Sequence, residues 1–334
     1  MPDVVTITFN PCIDKTLAVH EMLPEKKMHA RMPTYEPGGG GINVARGIYR
    51  LGGSVSAVYT AGGCHGKLLS DLLHKELIPV NPIPIEKLTR ESWVILDQST
   101  GKQYRIVMPG PQLSASEWQQ CLDQLDSIED VKFIVVSGSM PENMPEDIYN
   151  NIGIIAARKN AKVVVDSSGE SLINALKSSV YLIKPSLSEL ASVIVALNID
   201  GFSLTDAALE LIKRNYCEVV VVSMGAGGAW LISAHKSVEI KAPHVKTMST
   251  VGAGDSMVAG LIFGLVNEKT LEEAVRFGVA CGSACTLNPG TALFKISDAE
   301  ELYSQLKERL LDREGLEQRN GNNAKMAQTT DLNH

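Results

Sequence analysis

Six short apolar runs recur along the chain with amphipathic stretches between them: VVTITF at 4–9, SVSAVYT at 54–60, KFIVVSG at 132–138, KVVVDS at 162–167, VYLIK at 180–184 and EVVVVS at 218–223. They are continuous rather than alternating, so both faces of each strand must be covered. Strands of this kind form a parallel sheet with crossover helices on either side. Capping-box pairs, Ser114 with Glu117, Thr270 with Glu273 and Ser297 with Glu300, mark three helix starts. The expected fold class is α/β.

Two segments break the alternation. Residues 12–36 and 89–107 read as short two-sided strands (TLAVH, MHARMPT, SWVILD and QYRIVM), the last two joined by the turn-like QSTGK. Strands inserted on the rim of a parallel sheet commonly form a flap over its ligand, although a surface hairpin would look the same in sequence. The remaining parts, 1–11, 37–88 and 108–312, form the expected α/β core. Residues 313–334 are polar and rich in Asn and Gln, and are expected to be a disordered tail.

With 334 residues and 44% hydrophobic content the chain can bury one large domain with a small appendage. Its net charge of −7 comes from interspersed acids and bases, so no basic stripe is available for a nucleic acid and no polybasic cluster for a membrane. The six cysteines are scattered and lack any C-x-x-C pair. Cys281 and Cys285 share a helix face and read as packing residues. The chain opens on a strand instead of a secretory leader, and no run approaches the roughly 18 apolar residues of a membrane span. A cytoplasmic location is the expectation.

Three glycine clusters adjoin strands: PGGGGINVARG at 37–47, SMGAGGAW at 223–230 and TVGAGDSM at 250–257. None has the G-x-x-x-x-G-K-[ST] spacing that lets a lysine meet the β and γ phosphates. A dinucleotide fold is excluded as well, because the first strand runs into NPCIDK and its glycines arrive some thirty residues later. What remains is a site assembled from several strand ends, where open α/β sheets bind ligands. Gly252, Ala253 and Gly254 leave backbone amides bare at the start of an apolar helix, a setting that favours a transferring phosphoryl group. An acid in the same turn, Asp255, suits a different role, accepting the proton of a substrate hydroxyl. At a helix N-terminus its pKa is expected to be depressed, which phosphoryl transfer tolerates because the alcohol becomes acidic late.

PGGGGINVARGIYRLGG and TVGAGDSMVAG together resemble the two signatures of the ribokinase-like carbohydrate kinases, and the likeness spans about residues 3–312. Within the family TFNPCIDKTL, EPGGGGINVAR, YRIVMPG and SGSMP are most similar to the minor bacterial 6-phosphofructokinase branch. The resemblance implies a three-layer α/β/α sandwich with a small β-sheet lid that doubles as the clasp of a homodimer, with higher oligomers open. It implies Asp255 as catalytic base, with Gly252, Ala253 and Gly254 in the anion hole. Asp14, Gly39, Asn43 and Ser139 would hold the sugar, and Arg90, Arg105 and Lys27, the last from a neighbouring subunit, its phosphate. Lys184, Ser223, Gly225, Gly228, Thr247, Thr250 and Ser283 would contact ATP. Asp166 and Glu189 would organise Mg²⁺ through water, and Ser249, Val251, Asn288 and Gly290 would offer oxygens to K⁺. The implied reaction is transfer of the γ-phosphoryl group of MgATP to the 1-hydroxyl of fructose 6-phosphate, with tagatose 6-phosphate or fructose 1-phosphate, or a catalytically silent sugar-phosphate sensor, as alternatives.

The sequence departs from the family pattern in three places. Ser186 stands where relatives have the Asn of N-x-x-E, which puts Mg²⁺ affinity and any inhibitory second ATP site in question. Gly40 stands where fructose-1-phosphate and tagatose-6-phosphate kinases typically carry Lys, which favours fructose 6-phosphate. Ala292 replaces an Arg near the cation loop, and nothing in the sequence explains it.

Overall fold

The computed structural model describes residues 1–308 except 32 and 202, so the expected tail lies outside the described residues. Nine strands form one sheet: β1 (Val4–Thr8), β4 (Val55–Gly62), β5 (Val80–Ile85), β8 (Phe133–Ser137), β9 (Lys162–Asp166), β10 (Val180–Ile183), β11 (Cys217–Ser223), β12 (Ala229–Ser233) and β13 (Ser237–Ile240). Their order is β13-β12-β11-β10-β9-β8-β1-β4-β5. From β11 to β5 every pairing is parallel, while β12 and β13 add an antiparallel edge. All six strands expected from the apolar runs are present. The edge strands β5 and β13, and β12 beside the latter, carry weaker patterns and were not expected.

The continuous apolar runs are explained by two covered faces. Val135, Val164 and Leu182 point into one core together with Ile42, Leu261 and Val275. Their chain neighbours Ile134, Val136, Val163, Val165 and Ile183 point into the other, with Leu125, Ile152, Leu172 and Leu190. The first layer holds the helices α1 (Gly40–Arg50), α2 (Gly63–Lys75), α8 (Ala253–Val266) and α9 (Leu271–Cys285). The second holds α3 (Ala115–Ser127), α4 (Ile148–Lys159), α5 (Gly169–Lys177), α6 (Leu187–Ala196) and α7 (Leu204–Lys213). Cys281 and Cys285 are buried packing residues of α9. Among the described residues no helix is long and apolar enough to cross a membrane.

The inserted segments form a separate four-stranded sheet of β2 (Cys12–Val19), β3 (Thr34–Gly38), β6 (Arg90–Asp97) and β7 (Gln103–Val107), in the order β3-β2-β6-β7. The QSTGK turn between β6 and β7 is organised by Asp97, whose Oδ1 accepts from Ser99 N at 2.9 Å and from Thr100 N at 3.2 Å. Among the described residues the expected MHARMPT strand is absent except for its last residue, Thr34, which begins β3. The described residues of MHARMPT are all exposed, so no buried face anchors them, and TYEPG at 34–38 pairs with β2 instead. β3 thus runs into the first glycine cluster.

The capping boxes at Ser114 and Thr270 form as expected. That at Ser297 does not, because helix begins at residue 296 with the Lys295 carbonyl accepting from Ala299 N at 3.1 Å. The Ser297 hydroxyl, inside the first turn, faces Asp298 Oδ1 at 3.3 Å.

Candidate active site

The C-terminal ends of β1, β8, β9, β10 and β11 open on one edge of the sheet, where α1 and α8 also begin. Gly39, with φ 116°, starts α1. A Cβ on Gly40 would fall on Ser137 Oγ and lie 2.6 Å from the Gly138 amide, so only glycine lets the helix press this closely on the end of β8. That approach carries Asn43 across to α8, where its Nδ2 donates to Asp255 Oδ2 at 2.9 Å.

Gly252, left-handed at φ 76°, turns the chain into α8 and makes Asp255 the third helical residue. The first helical donor is Ser256 N, which reaches Gly252 O at 2.8 Å. The amides of Gly254 and Asp255 precede it, among the donors a helix start leaves unpaired. Lys184, just past β10, has its Nζ 3.0 Å from Asp166 Oδ1 at the end of β9. The same Nζ lies 3.4 Å from where a Cβ on Gly254 would stand. An ammonium, two carboxylates and bare amides thus converge on one spot.

Burial pushes the Asp255 carboxyl up to about 6, and the nearby Asp166 adds to the rise, while the Asn43 hydrogen bond and Lys184 oppose it. This corrects the expected depression. A helix N-terminus is worth about 0.3–1 kcal/mol, less than desolvation beside a second carboxylate. Burial alone would lower Lys184, but Asp166, Asp255 and Glu189 hold its ammonium above the usual range. A group near 6 is largely ionised at neutral pH and is a stronger base than an ordinary aspartate.

Of the residues expected to hold the sugar phosphate, Asp14, Arg90 and Arg105 lie on the lid strands and Ser139 follows β8. Asp14 on β2 faces Glu36 of β3 and Ser92 of β6 across the sheet and accepts from Cys12 Sγ at 3.2 Å. Burial raises its pKa, with Cys12, Arg90 and Arg105 pulling the other way. Arg90 spends part of its fork on Asn10 O, with Nη2 at 3.1 Å, whereas Arg105 is exposed on β7. Ser139 accepts from Asn10 Nδ2 at 3.0 Å. Lys27 is exposed in the loop before β3, apart from the cluster around Asp255.

Apart from Lys184, the residues expected to contact ATP lie at the end of β11 and in the turn after it, in the segment before α8 and in α9. Ser223 N donates to Pro185 O at 2.8 Å, tying β11 to the start of α6. Gly225 (φ 55°) and Gly228 (φ 99°) bend the chain from β11 into β12. Thr247 and Thr250 are exposed in the segment before α8, and Ser283 is buried near the end of α9. Two loops supply the cation candidates: Ser249 Oγ donates to Gly290 O at 2.7 Å and accepts from Val251 N at 3.3 Å. Asn288 Nδ2 donates to Ala284 O at 3.3 Å. Glu189 Oε2 accepts from Ser186 N at 2.7 Å, completing a capping box that the family comparison of this segment did not anticipate. Among the described residues no three His, Cys, Asp or Glu side chains gather as a direct metal cage.

Two contacts escaped the sequence reading. Arg46, 3% exposed, donates through Nη1 to Asn43 Oδ1 at 3.2 Å and through Nη2 to Glu76 Oε1 at 2.7 Å. The i, i+3 spacing of Asn43 and Arg46 on one helix face was its only trace in sequence. Thr291 donates to Glu36 Oε2, a pair with no local signature.

Residues 7–298 match the pfkB family carbohydrate kinase. A Mycobacterium tuberculosis protein named ATP-dependent 6-phosphofructokinase isozyme 2 is 41% identical over 303 residues, covering 90% of this chain and 89% of its own. The crystal structure of phosphofructokinase-2 from Escherichia coli in complex with potassium superposes with a TM-score of 0.86 at 38% identity, over 92% of this chain and 100% of that one. The same Escherichia coli enzyme in complex with fructose-6-phosphate gives 0.84 at 36% identity, with 92% and 100% covered. With its sandwich, its lid and Asp255 set among bare amides, the chain belongs to the pfkB family of carbohydrate kinases.

Proposed function

We propose that the protein is an ATP-dependent 6-phosphofructokinase that phosphorylates the 1-hydroxyl of fructose 6-phosphate. The observation that carries this reading is the Asp255 carboxylate, held by Asn43 beside the amides of Gly254 and Asp255. Asn43 occupies Oδ2, which leaves Oδ1 to accept the hydroxyl proton as the oxygen–phosphorus bond forms. The amides of Gly254 and Asp255 and the Lys184 ammonium stand where negative charge gathers on the transferred group, whereas the Ala253 amide, expected to be bare, donates to Thr250 O at 3.4 Å. Asp14 and Asn43 orient the sugar hydroxyls. Arg90 and Arg105, with Lys27 of a second copy clasped through the lid, hold its 6-phosphate.

The acids suit a hydrated Mg²⁺. Asp166 already faces Lys184 and Glu189 caps α6, so the chain offers two carboxylates and leaves most of the coordination to water and phosphate. Asp166 and Glu189 would hold the hydrated ion through water, and it would supply positive charge against the phosphates. The pair Ser249 Oγ and Gly290 O, 2.7 Å apart, suits a K⁺ site of protein oxygens.

The lack of room for any side chain at Gly40 favours fructose 6-phosphate over the substrates of relatives that carry lysine there. The deciding assay is ADP release from MgATP with fructose 6-phosphate, tagatose 6-phosphate and fructose 1-phosphate offered separately. Fructose 6-phosphate is expected to give the highest kcat/KM. A higher value with either other sugar phosphate reassigns the substrate, and thermal stabilisation by sugar phosphate without turnover identifies a sensor.

A further inference from the structure

We infer that Arg46, anchored by Glu76, is a positioning residue that fixes the side-chain amide of Asn43 so that its NH₂ always faces Asp255. The inference rests on the proposed role of Asp255 as base. A guanidinium can only donate, so the amide atom facing Arg46 Nη1 at 3.2 Å must be Oδ1. The amide nitrogen is then turned toward Asp255 Oδ2, at 2.9 Å. Without the guanidinium the amide could rotate and present its oxygen to the carboxylate, which repels it.

Besides Asn43, Arg46 is held by the Glu76 carboxylate and by Pro37 O. Its Nε lies 3.0 Å from Glu76 Oε2, its Nη2 lies 2.7 Å from Glu76 Oε1, and its Nη1 lies 3.1 Å from Pro37 O. Such a bidentate pair fixes direction as well as distance. The anchors come from the end of α2 and from lid strand β3, so three elements converge to set one amide. The arrangement leaves the same carboxylate oxygen, Oδ1, free for the hydroxyl in every molecule. It also steadies the hydrogen bond that opposes the upward push of burial on Asp255.

The test uses the full chain with both partners replaced, Arg46→Met with Glu76→Met. Arg46 is buried and Glu76 half-buried, so removing the two charges together keeps the local electrostatic change small and leaves no unpaired buried charge. Three readouts are taken: kcat for fructose 6-phosphate, the KM for ATP, and the ¹³C titration of the Asp255 carboxyl in the ligand-free protein, assigned by its loss in Asp255→Asn. The other groups facing Asp255 are Asp166, Asp14, Lys184 and Cys285, and all are unchanged. The expected result is a 10- to 100-fold lower kcat, roughly the value of one charge-assisted hydrogen bond, with the KM for ATP unchanged. The carboxyl midpoint should rise by about one pH unit, because a bond to the charged form is lost.

A double-mutant cycle separates positioning from mere support. In an Asn43→Ala background the Arg46→Met/Glu76→Met change should cost little further activity. Additive losses, or an unmoved carboxyl midpoint, overturn the inference. Absence of turnover by the unmodified protein would instead defeat the kinase reading, and the titration in ligand-free protein would still decide the role of Arg46.

Discussion

The hydroxyl of Thr291 donates to Glu36 Oε2, joining the loop that carries Gly290 to the lid strand lying opposite Asp14. Thr16 of β2 also borders Gly290, so the loop and the lid touch at two points. Thr291→Val keeps the shape and removes the bond, at a cost of about 1 kcal/mol because Glu36 retains some water. The expected outcome is a several-fold higher KM for the sugar phosphate with the KM for ATP unchanged. Steady-state kinetics with each substrate varied checks it, and equal changes in the two constants would exclude a specific link to the lid.

Asp255 should set the acidic limb of the rate profile. With its carboxyl held near 6, kcat/KM for the sugar phosphate should fall below about that pH as the base takes up a proton. Asp255→Asn should lower turnover by roughly 10²- to 10⁴-fold with ATP binding little affected. The residual activity should lose that limb. A variant with near-normal turnover, or one that keeps the same limb, would assign the proton to another acceptor.

Much of this site was legible in the sequence because its parts obey local rules. Gly252 and Asp255 announce a helix start through φ freedom and an acid in the first turn, and the apolar runs announce a buried parallel sheet. The properties that depend on three-dimensional proximity could not be read. The pKa of Asp255 rises because the fold buries its carboxyl and because Asp166, 89 positions away and at the end of another strand, crowds the same spot, and no one-dimensional pattern carries either. The Arg46–Glu76 pair is hidden for the same reason. The strand expected at MHARMPT lies further on, at 34–38, because MHARMPT alternates like a strand while every described residue in it is exposed. Pairing with β2, rather than propensity, chose TYEPG.

Ser186 caps α6, and substitution can separate that role from any effect on Mg²⁺. Its hydroxyl accepts from Glu189 N at 3.3 Å while Glu189 accepts from Ser186 N, which closes the start of α6. Ser186→Ala should cost about 1 kcal/mol, or a fall of roughly 2–4 °C in Tm. Ser186→Asn keeps the cap and should leave Tm unchanged. Its added amide oxygen should lower the Mg²⁺ concentration for half-maximal rate, whereas Ser186→Ala should not. Melting curves and Mg²⁺ titrations of both variants check the pair, and a common shift in Mg²⁺ dependence would detach this segment from the metal.

Replacing Asp255 should also change stability in a way that depends on pH. The folded pKa of Asp255 is about 6, above the 3.8 of an ordinary aspartate. Folding therefore strengthens proton binding, and the stability linked to this group is fully present below pH 3.8 and is lost as pH rises through 6. Above neutrality the folded protein holds an ionised carboxylate that it desolvates and places beside Asp166. Asp255→Asn carries no such charge. Its Tm relative to the unmodified protein should climb between about pH 4 and pH 7 and then level off. Loss of one anion near Lys184 acts in the opposite direction but weakly, since Asp166 remains 3.0 Å away. Calorimetry of both proteins across that range measures the difference directly, and a gap that stays constant or narrows with rising pH would show that Asp255 is not held in its high-pKa state.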